Sequence, residues 1–272
     1  MSNQVPDGRG ELVDVAQSLD AAGLMPNKSG NVSIRTGGGF VITPAGTPYR
    51  DLTASSLVEL ENGDTPSFPE NGDTPDFGPG KLGLADVPGR VPNSAGREVA
   101  AGSVKHGVSP FPPKPGVSPF PRGVAPVSRP SSEWRMHAAI YRAYPAVGAI
   151  VHTHSPQATA LACAGLGLPP FHYMIALAGG EVRCMPYATF GSAELADHAV
   201  RGLEGRRATL LANHGVIAVG PTLRLAHAVA LEVENLASQW LALRAAGLQP
   251  QLLDAEELAR VIEKFAGYGR LD

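Results

Sequence analysis

The chain has 272 residues, a formal net charge of -3, ordinary apolar content and rather few charged side chains. That length carries one sizeable core or two small ones. The near-balance of charge excludes a global field drawing the protein to nucleic acid or an anionic membrane, so any anion site is local.

In chain order, Met1 to Gly10 is polar and lacks the apolar stretch of a signal peptide, and no run of about 18 apolar residues occurs anywhere. The expectation is a cytoplasmic enzyme with no membrane span. Leu12, Val15, Ala16, Leu19 and Ala22 follow helical spacing, with Gly23 as a stop. Two short strands are predicted at Val32 to Arg35 and Phe40 to Thr43, joined by Gly37-Gly38-Gly39 as a hairpin.

From Asn62 to about Pro130 the character changes. This stretch holds more than half of the 25 prolines and two short repeats: Glu61 to Pro66 recurs as Glu70 to Pro75, and Gly107 to Pro112 as Gly116 to Pro121. Proline lacks an amide donor and glycine favours the unfolded chain, so an irregular or mobile surface insert over 62–130 is expected. A proline-rich docking site baited by Ser-Pro-Phe-Pro is the sharper alternative.

After the insert, Ser131 or Ser132 caps a predicted helix that runs to about Tyr144 and ends at Pro145. Gly148 to His154 reads as a buried strand, and Pro156 starts the next helix. A strand pair, Ala208 to Ala212 and Val216 to Val219, flanks Asn213-His214-Gly215. A long helix follows Pro221 to about Ala246, with Gly247 as its stop, and a last helix spans roughly Ala255 to Phe265. Strands joined by hairpins and mixed with helices predict an α/β or α+β fold with antiparallel pairs. The two cysteines, Cys163 and Cys184, have no CxxC partner and read as buried inert thiols.

His152-Thr153-His154 is the strongest chemical signal. Residues i and i+2 of a strand share a face, so both imidazoles reach one ion. His214 sits in a turn where Gly215 lets the backbone pass close to a bound group. Three histidines with an open fourth position suit a catalytic zinc site, though imidazole also suits iron, cobalt or nickel. His106, His137, His172, His198 and His227 lack such context and read as surface or packing residues. Ser29-Gly30-Asn31 and Thr43-Pro44-Ala45-Gly46 are turns whose amides can face a phosphate. Ser131-Ser132 at a helix start adds hydroxyls and the positive end of a dipole. Glu133 in the first helical turn is a dipole partner or, beside a metal, a ligand or base.

These residues occur together in an order that resembles the class II aldolases of the aldolase/adducin family, and within it the L-fuculose-phosphate aldolases. The matching runs are Ser29 to Ser33, Ile42 to Pro44, Ser131 to Arg135, Phe171 to Ala176, Val151 to His154, Pro186 to Gly191, Asn213 to Gly215 and Glu263 to Gly269. The resemblance covers essentially the whole chain except residues 62–130. It implies a single domain over 1–272: a three-layer α/β fold with a central, mainly antiparallel sheet flanked by helices, plus the Pro/Gly-rich insert. It implies one zinc ion per subunit, held by His152, His154, His214 and Glu133, with Glu133 leaving the metal to become the acid/base when substrate binds. Gly30, Asn31, Ala45, Gly46, Ser131 and Ser132 match the phosphate-binding positions. Tyr173 matches a residue that protonates the aldehyde half from a neighbouring subunit, and Phe190, Phe265 and Tyr268 match residues lining the aldehyde end. A homotetramer with active sites between subunits follows from the same resemblance.

Two positions depart from the family pattern. Ala45 stands where a hydroxyl residue is frequent, and Lys28 where a small hydroxyl residue is common, so the Lys28 ammonium is expected to replace part of a lost phosphate contact. The implied reaction is reversible aldol cleavage of a ketose 1-phosphate, such as L-fuculose, 5-deoxyribulose or methylthioribulose 1-phosphate, to dihydroxyacetone phosphate and a short aldehyde. Relatives with ribulose-phosphate 4-epimerase or methylthioribulose-phosphate dehydratase activity, and the non-catalytic adducin head, are the competing readings.

Overall fold

In the computed structural model, which describes residues 8–61 and 129–267, the predicted helical spacing near the N-terminus forms α1 (Arg9–Ala21) and buries Leu12, Val15, Ala16 and Leu19 as one stripe. Gly23, with φ of 76°, ends it. The glycine hairpin joins β1 (Asn31–Arg35) to β2 (Gly39–Ile42), and β3 (Val58–Glu61) adds an edge strand whose period-2 pattern points Leu60 inward. After residue 129 come α2 (Trp134–Ala143), β4 (Ala149–Thr153), α3 (Pro156–Cys163), β5 (Arg183–Met185) and α4 (Ala193–Gly202). They are followed by β6 (Ala208–Leu211), β7 (Gly215–Gly220), α5 (Leu223–Ala245) and α6 (Ala255–Gly267).

The strands form one seven-stranded sheet in the order β3-β2-β1-β4-β7-β6-β5, antiparallel throughout except for the β5–β6 pair. Alternation along the strands sorts the core into two layers. Val32, Val41, Val151, Leu210 and Ala218 face α1, α3 and α5. Phe40, Ile42, Ile150, Ile217 and Val219 face α2 and α4. The expected three-layer, mainly antiparallel architecture is present. Among the described residues, no helix is long and apolar enough to cross a membrane.

Several expectations need correction. The helix after the insert begins at Trp134, so Glu133 is its N-cap and Ser131 and Ser132 precede it. The strand carrying the HxH pair ends at Thr153, leaving His154 just beyond it. The final two residues assigned to the insert are ordered by backbone pairing: Pro44 bridges Pro130, and the Ala45 amide donates to the Arg129 carbonyl at 2.9 Å. Cys163 is exposed, because it ends α3 and that helix buries Ala158, Leu161 and Ala162 instead. The two repeats fall within residues 61–121, and apart from Glu61 they lie outside the described residues, as does His106.

Candidate metal centre and its cleft

His152 lies in β4 between two neighbours, opposite Asn31 of β1 and Ile217 of β7. His154 follows on the same face. The β6–β7 turn supplies His214. Asn213 takes a left-handed φ of 56°, which asparagine tolerates better than most residues. At Gly215 an added Cβ would run into the Thr153 carbonyl oxygen and come 3.0 Å from His154 Cδ2, so glycine is what lets this turn lie against the end of β4. The ring centroids of the three histidines form a triangle 4.9 Å on every side.

Glu133 closes the triangle. Its Oε2 lies 2.9 Å from His152 Nε2, its Oε1 2.9 Å from His214 Nε2, and all four donor atoms fall within 4.8 Å of one another. Backbone pairing delivers it there: Ser131 N–H donates to the Thr43 carbonyl, beside the Pro44–Pro130 bridge, so α2 starts against the end of β2.

The donor chemistry fits a divalent ion. His152 Nδ1 is 2.8 Å from the Val216 carbonyl oxygen, which only accepts, so Nδ1 carries the proton and the Nε2 lone pair faces inward. That Nε2 stands 3.1 Å from His154 Nε2. Ligands of tetrahedral zinc, at roughly 2.0–2.1 Å from the ion, are spaced about 3.3 Å apart. Buried Oε1 of Glu133 faces His214 Nε2 at 2.9 Å without a hydrogen bond of good geometry, as two ligands of one ion would.

The electrostatics agree. Burial alone would raise the Glu133 carboxyl, but the charge and hydrogen bond of His152, with His214 beside it, hold it well below the usual carboxylate range. Burial would lower His152, but the Glu133 carboxylate outweighs it and raises it. Burial, helped by repulsion from His152 and His214, pushes His154 down to about 3. A cation in this place takes over the stabilising role that protons otherwise fill.

A cleft of about 400 Å³ opens over the cluster. Its lining includes the polar set Lys28, Gly30, Asn31, Gly46, Ser131 and Ser132, together with Tyr187, Ala188 and Phe190. Gly30 has φ of 81°, and a Cβ there would sit 2.5 Å from the His152 carbonyl oxygen. Ser131 Oγ accepts from Asn31 Nδ2 at 2.9 Å, which leaves its own hydroxyl proton to donate. Ala45 lines the cleft too, but its N–H is taken by Arg129 and its methyl offers nothing polar. Lys28 adopts a left-handed φ of 65°, and its ammonium donates to the Gly46 carbonyl at 3.2 Å.

Tyr173 and Phe265 are not among the residues lining this cleft. They pack on one another with ring centroids 6.3 Å apart, and Tyr173 is exposed. Tyr268 lies outside the described residues. Sequence reasoning missed Tyr187 and Asn213 as lining residues, although both sit inside motifs it singled out.

His137, expected on the surface or in ordinary packing, is fully buried and hydrogen-bonded on both ring nitrogens, to Asn31 and Ser33. Burial pushes it down to about 3. The signal was present as two stripes: Asn31, Ser33 and Arg35 at strand spacing, and Glu133, His137 and Tyr141 at helical spacing. Two strand residues rise about 6.7 Å and four helical residues about 6 Å, so the stripes stay in step. His172 caps a 3-10 turn by accepting from Met174 N–H, His198 donates to the Pro186 carbonyl at 2.9 Å, and His227 is half-buried.

The family model for the Class II Aldolase and Adducin N-terminal domain matches residues 10–241. A 5-methylthioribulose-1-phosphate/5-deoxyribulose-1-phosphate aldolase of Rhodospirillum rubrum is 38% identical over 260 residues, covering 95% of this chain and 90% of the relative. The L-fuculose phosphate aldolase of Escherichia coli is 34% identical over 260 residues, covering 95% and 94%. A solved structure of an L-fuculose 1-phosphate aldolase superposes with a TM-score of 0.71 at 30% identity, covering 97% of this chain and 98% of that one.

Proposed function

The chain belongs to the class II aldolase and adducin family and is a metal-dependent sugar-phosphate aldolase, a carbon–carbon lyase; from that premise we propose that it reversibly cleaves a ketose 1-phosphate to dihydroxyacetone phosphate and a short aldehyde, with zinc as its ion. The observation that carries this reading is the placement of one amide. Asn31 Nδ2 donates both to Ser131 Oγ at 2.9 Å and to Glu133 Oε2 at 3.1 Å, so an anion anchor and a proton carrier are tied to one side chain.

His152, His154 and His214 would hold a divalent ion, whose positive charge would stabilise the negative charge that develops when the carbon–carbon bond breaks. The serines Ser131 and Ser132, with the turns at Gly30 and Gly46, hold the phosphate. Lys28 adds charge where Ala45 adds only shape. Glu133 would be the fourth ligand of such an ion; away from the cationic partners that now hold its pKa down, its carboxyl would rise towards the strength needed to take or return a proton.

Phe190, with Tyr187 and Ala188, lines the aldehyde end; Phe265, which packs on Tyr173 outside its own chain's cleft, would join that end from a neighbouring copy. L-Fuculose, 5-deoxyribulose and 5-methylthioribulose 1-phosphates all end in a methyl or methylthio group, which suits that wall. Tyr173 serves the cleft of a neighbouring copy in a homotetramer; its exposure, and its place outside its own chain's cleft, support that role.

The test is a panel of these ketose 1-phosphates, with dihydroxyacetone phosphate release followed by a coupled dehydrogenase, with and without chelator. Chelator-sensitive release supports the proposal. Turnover without dihydroxyacetone phosphate points to an epimerase or dehydratase, and freshly purified protein with no zinc points to an adducin-like binding module.

A further inference from the structure

Behind the metal cluster, five buried polar side chains form a single hydrogen-bonded line from Glu133 to Tyr141, and the direction of every bond in it follows from chemistry. An ionised carboxylate only accepts, so the Asn31 atom facing Glu133 Oε2 is Nδ2, and its second hydrogen goes to Ser131 Oγ. Asn31 Oδ1 therefore faces His137 Nε2, and an amide oxygen only accepts, so Nε2 carries the imidazole proton. His137 Nδ1 is then a lone pair, and it accepts from Ser33 Oγ at 2.6 Å. Having spent its one proton, Ser33 Oγ accepts from the Tyr141 hydroxyl at 2.8 Å. Arg35 lies 4.6 Å over the Tyr141 ring and donates to the Tyr141 and Tyr144 carbonyls, which fixes the far end of the line.

We propose that His137 is a positioning residue: its Nε2–H locks the amide of Asn31 so that Glu133 always faces a donor, and never the amide oxygen. Without that lock only Glu133 holds the amide in this sense, because the Ser131 hydroxyl can donate as well as accept and does not choose between the two ends of the amide. The flipped amide would set oxygen against carboxylate and push Glu133 off its line to His152, while Ser131 Oγ would keep its bond to the amide by donating to it. Imidazole suits the task because it presents a donor and an acceptor at opposite sides of one rigid, uncharged ring. The inference rests on the reading of Glu133 as ligand and proton carrier.

One spectroscopic measurement and four sets of variant kinetics test it. Histidine-selective nitrogen-15 NMR of the unaltered protein should find His137 neutral with its proton on Nε2; a proton on Nδ1 overturns the inference without any variant having to fold. In zinc-replete, folded protein, His137→Phe should lower kcat about 10- to 100-fold while KM moves less than about threefold. His137→Gln, which keeps one donor and one acceptor, should recover activity to within about fivefold. Against an Asn31→Ala background, His137→Phe should cost less than about twofold more, because its effect travels through Asn31. Equal losses in both backgrounds, or full activity of H137F, overturn it. Glu133→Gln separates the two levels: loss of cleavage by E133Q with H137F unaffected overturns this inference alone, whereas full activity of E133Q overturns the reading of Glu133.

Discussion

Asn31 sits directly opposite His152 across the β1–β4 pairing, and the two side chains reach the same atom, Glu133 Oε2, at 3.1 and 2.9 Å. The carboxylate is thus held between an amide of one strand and an imidazole of the next while it hangs from the start of a helix in another layer. Both layers must be packed before this atom has its place.

Removal of one imidazole should therefore empty the site. His152→Ala is expected to carry well under one zinc per chain by elemental analysis, and to lose cleavage by on the order of 100-fold or more. Zinc returned to chelator-stripped wild-type protein should raise the melting temperature, since an ion that binds only the folded state stabilises it by mass action. An H152A protein with full zinc content would refute the ligand set.

Acid should weaken the metal-free protein before its carboxylates titrate. His137 and His154 are held at about 3 by burial, and His227 is lowered by burial as well. Between about pH 6.5 and 4.5 the unfolded chain takes up protons on His137 and His154 that the folded chain refuses, so stability falls as pH falls, by up to ~1.4 kcal/mol per pH unit for each of these two, and half-exposed His227 adds a smaller effect of the same sign. His152 is raised, so its contribution is complete below about 6.5 and is lost only above it. Urea titrations of stripped protein at several pH values in this window read the slope; stability that is flat or rises on acidification contradicts the burial of these rings.

Lys28→Ala should raise KM for the sugar phosphate about 3- to 10-fold and leave kcat within about twofold, the pattern of a contact made equally in ground and transition states. The residue reaches only a backbone carbonyl in this structure, that of Gly46. An unchanged KM would remove it from the phosphate site.

Glu234 of α5 lies outside the cleft but caps α3, accepting from the amides of Gln157 and Ala158 at 2.9 Å each. Those amides follow His154 by three and four residues. Glu234→Ala should cost about 1–2 kcal/mol of stability, and a few degrees of melting temperature, because it strips a charged cap from a helix N-terminus. Calorimetry reads this directly, and an unchanged melting temperature would show that water caps α3 equally well.

Much of this was legible beforehand where one residue type decides a local outcome. Helical spacing located α1, Pro221 and Gly247 bracketed α5, a glycine run located the β1–β2 hairpin, and the HxH pair located the ion-facing side of β4. Edge strands were not visible: β5 has three residues, and its parallel pairing to β6 is a contact no local pattern encodes. The α4 helix was also overlooked, although Ser192 caps it by accepting from Leu195 N–H. Lys28 and Ala45 stood out as departures from a family pattern, yet nothing local foretold that the Ala45 amide would be taken by Arg129.

The chain order of amino acids was enough to mark His152, His154 and His214 as candidate donors, and the family resemblance added Glu133, because imidazole and carboxylate carry the chemistry of a metal site wherever they converge. It was not enough to distinguish His137 from a packing histidine. That distinction depends on which atoms face the ring after α2 packs on β1, across more than a hundred residues of sequence separation. Donor type is a property of a residue, whereas the direction of a hydrogen bond and the exclusion of water are properties of a packed interface, and only the folded layers bring them into being.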